Sequence, residues 1–355
     1  MYMILHFSFI FSYTCKSHFF IMNNEASSSS SSESDEDTYA PPPLELTVAR
    51  KLPKILQLPS THQEALDFLF DNGILTRLHN ITCPSCGRVG MRWKTPDKKV
   101  IRCPNNRCNH NGKKNSRFQR SIYHQTFFAG TKLSPRAILH ISLLWLNRIS
   151  VSVATSLYGY SSETVSDFYS YLRELTTLHY ENLPLAQQWI GGPGEIVEID
   201  ESKFAKRKYN RGHKVGDKSW VFGGICRSNK EFFAVVVLDR KEETLLDYIK
   251  QYIAPGTMIF SDGWKAYHNI RRIEGFNYSH EVVNHSENFV DPVTGTHTNT
   301  IESKWGGLKR VIPKNARRKE RLGPYLTSEM WRKKHINDLW GGLIQAWKSV
   351  VYEKE

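Results

Sequence analysis

Three things are scarce in this chain, and each scarcity narrows what it can be. No uninterrupted apolar run reaches the ~20 residues that a membrane-spanning helix needs: the most apolar stretch, residues 1 to 22, is broken by His6, Lys16 and His18. It is not followed by the small-residue cleavage motif of a signal peptide, and no membrane partner is expected. Cysteine is scarce too, with six among 355 residues, four of them between residues 83 and 108. Such a distribution argues against a disulfide framework and for one local metal site in a reducing compartment. Carboxylates are outnumbered, 35 Asp and Glu against 48 Lys and Arg, which leaves a formal charge of +13. That balance implies a polyanionic partner, because Lys and Arg neutralise phosphates and release their counterions.

The length suffices for two or three domains. Residues 1–50 read as a leader, disordered or an upstream artefact of gene prediction. Within it NNEASSSSSSESDED is too polar and too acidic to bury a core.

Residues 61–125 read as a helix followed by a zinc-binding ribbon. Thr61 stands where a cap is needed, with Glu64 three residues on and apolar Leu66, Phe68, Leu69 and Phe70 behind it. In CPSCG, Cys83 and Cys86 have the two-residue spacing that lets two thiolates meet one tetrahedral Zn²⁺, and Cys103 and Cys108 close the set. Residues 91 to 102 form the hairpin between the two pairs. The second pair has four intervening residues, so His110 stays open as a substitute ligand.

Residues 133–180 read as a helical, helix-turn-helix-like region. Ser134 caps a helix with Pro135 in its first turn, and Ser161 or Ser162 caps the last one. Residues 164 to 171 would then enter a major groove, although a plain three-helix bundle has the same pattern and Glu163 and Asp167 are acidic.

Residues 194–345 carry the chemistry. Three apolar runs, EIVEID, SWVFGGICR and EFFAVVVLD, read as strands; then come helix EETLLDYIKQYIA, strand TMIFSD, helix GWKAYHNIRRI, strand HEVVN and a helix from 298 to 310. This is the element order of a ribonuclease-H-like domain. It sets Asp200 on the first strand beside Asp262 at the end of the fourth, and Glu302 on the last helix. Three carboxylates drawn from distant parts of a chain suit Mg²⁺ or Mn²⁺, hard cations that take oxygen ligands. Two such ions act on both the attacking and the leaving oxygen of a phosphodiester. Asn299 lies three residues before Glu302 and shares its side of the helix; Glu302 is preferred, since a carboxylate binds Mg²⁺ better than an amide. Lys203, Lys206, Arg207, Lys208, Arg211, Lys304, Lys309 and Arg310 are candidates for strand binding, and so is the basic stretch KNARRKERLGPYL. Trp305, spaced helically with Ile301 and Leu308, reads as core; His285 and His297 flank the site in sequence.

Taken together, VEIDESKF, FSDGWKAY and NHSENFVDPVTGTHTNTIESKWGGLKR closely resemble the Merlin superfamily of DDE transposases and related bacterial insertion-sequence transposases, over roughly residues 61 to 345. The resemblance implies a retroviral-integrase-like core that cuts double-stranded DNA at transposon ends and joins the freed 3′-hydroxyl to target DNA. It assigns Asp200, Asp262 and Glu302 as the catalytic acids, and synapsis of two ends implies a homodimer or higher oligomer. The expected fold is thus an α/β (α+β) multidomain chain, with a ribonuclease-H-like core behind a zinc ribbon and a helix-turn-helix-like region. The Ser-rich leader suggests a eukaryotic host, hence the nucleus. Two other classes fit parts of the sequence: a domesticated DNA-binding protein without catalysis, and a metal-dependent nuclease that only hydrolyses.

Overall fold

Ile196, Val197 and Ile199 are β-branched, a composition that favours a pleated backbone packed on both faces, and this stretch forms the central strand of the main sheet. A computed structural model describes residues 59–95, 97, 99–113, 116–204, 220–283 and 298–349. Lys98, Lys206, Arg207, Lys208, Arg211, His285, His297 and the leader lie outside these residues.

The first part holds helix α1 (His62–Asp71), the short strands β1 (Arg92–Trp93), β2 (Val100–Arg102) and β3 (Gln119–Ser121), and helices α2 (Pro135–Leu146), α3 (Val151–Tyr158) and α4 (Ser162–Glu181). The expected caps form. The Thr61 Oγ1 accepts from the Glu64 amide at 3.2 Å, Ser134 Oγ from Ala137 at 3.1 Å and Ser161 Oγ from Thr164 at 3.1 Å. Each satisfies an amide that the helix itself leaves without a partner.

After the single turn α5 (Leu185–Gln188) come strands β4 (Ile196–Lys203), β5 (Trp220–Cys226) and β6 (Phe232–Val237), helix α6 (Glu242–Tyr252), strands β7 (Met258–Asp262) and β8 (Ser279–Val283), and helices α7 (Asn299–Val311), α8 (Lys319–Lys334) and α9 (Leu339–Ser349). The sheet order is β6-β5-β4-β7-β8. β5 runs antiparallel to both β4 and β6, whereas β7 lies parallel to β4 and β8 parallel to β7. This mixed α+β sheet follows the element order read from the sequence for a ribonuclease-H-like core.

Two segments differ from expectation. The helix anticipated after Asp262 is replaced by two 3₁₀ turns, Lys265–Tyr267 and Ile270–Arg272. Tyr267, at the end of the first, and Ile270, at the start of the second, are both buried. The basic stretch from 314 to 326 runs into α8, where Leu322, Leu326, Met330 and Trp331 are buried. This helix packs on α4 and β6, and Arg317, just before it, is half-buried and donates to the Ile312 carbonyl. Arg332, on the same helix, is buried and donates to the carbonyls of Trp145 and Leu146 at the end of α2, and Arg148 clamps Glu329 through two bonds of 2.6 Å.

One apolar cluster runs from Ala65 of α1 through the sheet to Trp347 of α9. Phe128 meets Trp347 and Phe68 meets Trp340, with ring centroids 5.4 and 5.8 Å apart. Among the described residues, no helix is long and apolar enough to cross a membrane.

Candidate active site and thiolate cluster

The register of β4 on β7 pairs Ile196 with Met258, Val197 with Ile259 and Glu198 with Phe260. Continued for two residues, the same offset sets Asp200 abreast of Asp262, on neighbouring strands and on one face, since side chains alternate with period two. Asp262 closes β7, and its Oδ1 accepts from the Trp264 amide at 3.1 Å.

On that face of β4, Glu198, Asp200 and Ser202 each hold α7. Glu198 Oε2 accepts from the amides of Thr300 and Ile301 at 2.9 and 3.0 Å, Asp200 Oδ2 accepts from the Trp305 indole N–H at 2.9 Å, and Ser202 Oγ accepts from Lys309 Nζ at 2.7 Å. Four strand residues span about 13 Å, and the stretch of α7 from its first turn to Lys309 advances about 13 Å as well. Helix and strand therefore run side by side with matched spacing, and α7 is bolted to β4 at three levels.

Glu198 is fully buried, and its other oxygen accepts from Arg227 Nε at 2.6 Å. It supplies the negative charge that the amino end of a helix favours. Asp200 is half-buried. Burial raises its carboxyl to about 7; the Trp305 bond pulls against that rise, and the charges of Glu201 and Asp262 add to it. Gly223, the register partner of Asp200 on β5, makes room for the indole: an added Cβ would stand 2.6 Å from Trp305 and 2.5 Å from the Phe233 carbonyl. Any side chain at 223 would lift α7 off the sheet. Trp305 is thus core, as its spacing suggested, and a hydrogen-bond donor to the candidate acid besides.

Residues turn about 100° each around a helix. Ile301, Trp305 and Leu308 are buried against the sheet, and Lys304 lies on one flank with its ammonium 3.4 Å from the centroid of Phe232 on β6. Burial lowers this lysine to about 8. Glu302 falls on the opposite flank, on the side of β7 and Asp262, at a level between Glu198 and Asp200. It is exposed, and so is Asn299, which lies roughly 60° further from the buried face. The continued register puts Asp200 and Asp262 side by side, the 100° turn puts Glu302 on the α7 flank away from Lys304, and Lys304 is turned toward β6. Lys309 is committed to Ser202, Arg310 is exposed and Lys203 is half-buried.

On the other face of β4, Glu201 Oε1 accepts from the Tyr267 hydroxyl at 2.6 Å. Burial raises the Glu201 carboxyl; the Tyr267 bond and the Arg240 charge work against that, and Asp262 with it.

The second candidate site is compact. The sulfurs of Cys83, Cys86, Cys103 and Cys108 all lie within 4.8 Å of one another, with Cys83 to Cys108 at 3.8 Å and Cys86 to Cys103 at 3.6 Å. A tetrahedral Zn²⁺ with bonds near 2.3 Å sets its sulfurs about 3.8 Å apart, so the set fits. Among the described residues this is the one group of three or more His, Cys, Asp or Glu gathered so tightly; the carboxylates are spaced more widely. Gly87, at φ +70, closes the first knuckle. It adopts the left-handed backbone that lets its amide donate to the Cys83 carbonyl and the Cys83 amide to the Arg88 carbonyl, both at 2.9 Å. The bond from the Arg88 amide lowers Cys86 to about 6, while burial pushes Cys103 up to about 12. His110, left open as a substitute ligand, is not among the gathered four: its Nδ1 meets Ser85 Oγ at 2.8 Å and its ring sits edge-on to Phe118. Below the cluster β1, β2 and β3 form an antiparallel sheet, so a third strand joins the expected hairpin.

The helix α4 buries Val165, Phe168, Tyr169 and Leu172, leaving Glu163, Ser166, Asp167, Ser170 and Tyr171 outward. Its outer face in the stretch proposed to read DNA is therefore acidic and polar.

A family model described as an ISXO2-like transposase domain matches residues 185–333, from α5 to the end of α8. An uncharacterized transposase-like protein of Haemophilus influenzae is 30% identical over 101 residues, 28% of this chain and 78% of that protein. Among solved structures, the catalytic core domain of BIV integrase gives a TM-score of 0.23 at 12% identity, over 32% of this chain and 66% of that one. A simian T-cell lymphotropic virus intasome in complex with the PP2A regulatory subunit B56 gamma gives 0.26 at 15% identity, over 56% and 69%. On the transposase-domain match and the Haemophilus relative, the chain belongs to the ISXO2-like transposase family.

Proposed function

We propose that this protein is a DNA transposase that cleaves at transposon ends and joins the freed 3′-hydroxyl to target DNA, with Asp200, Asp262 and Glu302 as its metal-holding acids. What supports the reading is the parallel β4–β7 register, which runs to Glu198 and Phe260 and, continued by two residues, pairs Asp200 with Asp262, together with Glu302 on the free flank of α7. An all-oxygen donor set suits Mg²⁺ or Mn²⁺. When bound, such ions activate the attacking oxygen and stabilise the leaving oxygen of the phosphodiester.

The chain's own residues supply the rest. Trp305 fixes the orientation of Asp200, and Glu198 with Arg227 fixes the first turn of α7 and hence Glu302. Glu302 is preferred to Asn299 because its flank is the one turned to β7. Lys203, Lys206, Arg207, Lys208, Arg211, Lys309 and Arg310 supply positive charge for the strands. The four cysteines hold Zn²⁺ in a ribbon which, with the α2–α4 helices, binds the double-stranded ends. The finer relationship is to the Merlin superfamily; the active species is a homodimer or larger, and its site of action is the nucleus.

The test is cleavage and joining on a supercoiled plasmid carrying the element's own ends, with Mg²⁺ or Mn²⁺. Joined products from wild type, lost in Asp262→Ala and Glu302→Gln and kept in Asn299→Ala, support the reading. Cutting without joining makes the protein a nuclease. End binding with no cutting makes it a DNA-binding protein without catalysis.

A further inference from the structure

At the rim where β4 ends and β5 begins stands a cluster that the three-acid site does not use. Lys203, the last residue of β4, is the register partner of Trp220, the first of β5, and its Nζ lies 4.5 Å from the Trp220 ring centroid. Arg240, on the approach to α6, sets its guanidinium over two indoles, 3.9 Å from the centroid of Trp220 and 4.8 Å from that of Trp264. Its turn is held by Asp239 Oδ1, which accepts from the Lys241 amide and the Thr244 hydroxyl at 3.0 and 2.8 Å. Trp264 follows Asp262 by two residues, and its amide is the one that bonds the Asp262 carboxylate.

Trp264 nonetheless remains 41% exposed. A large ring held half in solvent, braced by a guanidinium and tied through its own backbone to a candidate metal-holding acid, is a preorganised surface rather than a core residue. A flat apolar ring beside the Arg240 cation, with Lys203 across Trp220 on the same rim, matches a ligand with a π face and a negative charge in each repeat unit, which is a nucleotide. Aromatic side chains accept unpaired bases by stacking, and nearby Arg and Lys meet their phosphates. A paired base is sheltered within its helix and has no free face for this contact.

We propose that Trp264, braced by Arg240, stacks an unpaired base of the DNA strand adjoining the phosphate held at the acids, and that Arg240 and Lys203 contact the phosphates of that strand. The assignment rests on the transposase reading, to which it adds the binding site for the strand end.

The test uses the full chain and two single-stranded probes of equal length and charge: a 20-mer of thymidylate and the matching abasic 20-mer. Stacking is worth roughly 5- to 150-fold per base, so wild type should prefer the base-bearing probe by about tenfold. Trp264→Ala should bind both probes alike, Trp264→Phe should retain most of the preference, and Arg240→Gln should weaken both probes and flatten the salt dependence by about one phosphate contact. If Trp264→Ala folds poorly, Trp264→Phe and Arg240→Gln carry the test. An undiminished preference in Trp264→Ala, or no preference in wild type, overturns the proposal. Plasmid joining by the same preparation separates the two failures: joining without base preference sinks the stacking site alone, whereas a wild type that neither joins nor binds either probe sinks the transposase reading with it.

Discussion

The thiolate cluster and the carboxylate site are both four or fewer side chains around one place, yet they are assembled in different ways. The cysteines span residues 83 to 108, and short loops with their own hydrogen bonds hold them in place. The acids span residues 200 to 302 and owe their positions to strand register and to a helix bolted across the sheet. A local site stands or falls with its ligands; a tertiary site is as sensitive to residues that never touch the substrate.

The sharpest contrast should come from the ligands of the local site. Cys103→Ala, or a strong zinc chelator, should abolish bound zinc and unfold the ribbon, because structural zinc supplies on the order of 10 kcal/mol of folding free energy. Metal analysis together with limited proteolysis between residues 80 and 125 reads this directly, and a ribbon that stays protected without metal would remove zinc from the account. Next comes Glu198→Ala, far from any ligand role. It removes the Glu198 partner of Arg227 and uncaps α7; breaking a fully buried pair costs about 3–5 kcal/mol, and with Arg227 21% exposed the loss falls toward the lower end. Urea denaturation should show that loss, and joining activity should disappear although all three acids remain.

A smaller effect, of opposite sign, is expected at Asp200. A carboxyl raised from its ordinary range to about 7 costs the fold nothing below pH 4, where it is protonated folded or unfolded. The cost grows as pH rises between those values and is complete above pH 7. Asp200→Asn should therefore melt higher than wild type at pH 8 without divalent cations, by up to about 4 kcal/mol before solvent screening is allowed for, and should match it near pH 4. A difference independent of pH would place the strain elsewhere.

The same contrast explains what the sequence discloses. Cys83 and Cys86 announce themselves by spacing, and Asp200 and Asp262 by ending or punctuating apolar runs. The strand order, the helix caps at Thr61, Ser134 and Ser161, and the buried stripe of α7 follow from periodicity. Glu198 does not announce itself: an acid alternating along a strand looks solvent-facing until α7 is known to lie over it. The Trp305 bond to Asp200 and the need for glycine at 223 are two ends of one tertiary contact, legible only once β4, β5 and α7 are stacked. Arg240 and Trp264 lie 24 residues apart in sequence and meet only because β6 and β7 end at the same rim. The basic stretch from 314 to 326 also carries the buried Leu322 and Leu326, whose significance depends on α4 lying opposite.

The central claim is that β4, β7 and α7 present their carboxylates to a common divalent cation. Binding of Mn²⁺ to the full chain, followed by electron paramagnetic resonance, tests it most directly. The account predicts saturable binding by wild type and by Asn299→Ala, and its loss in Asp200→Asn, Asp262→Asn and Glu302→Gln. Undiminished binding by Asp262→Asn, or binding by Glu302→Gln that vanishes in Asn299→Ala, would contradict it.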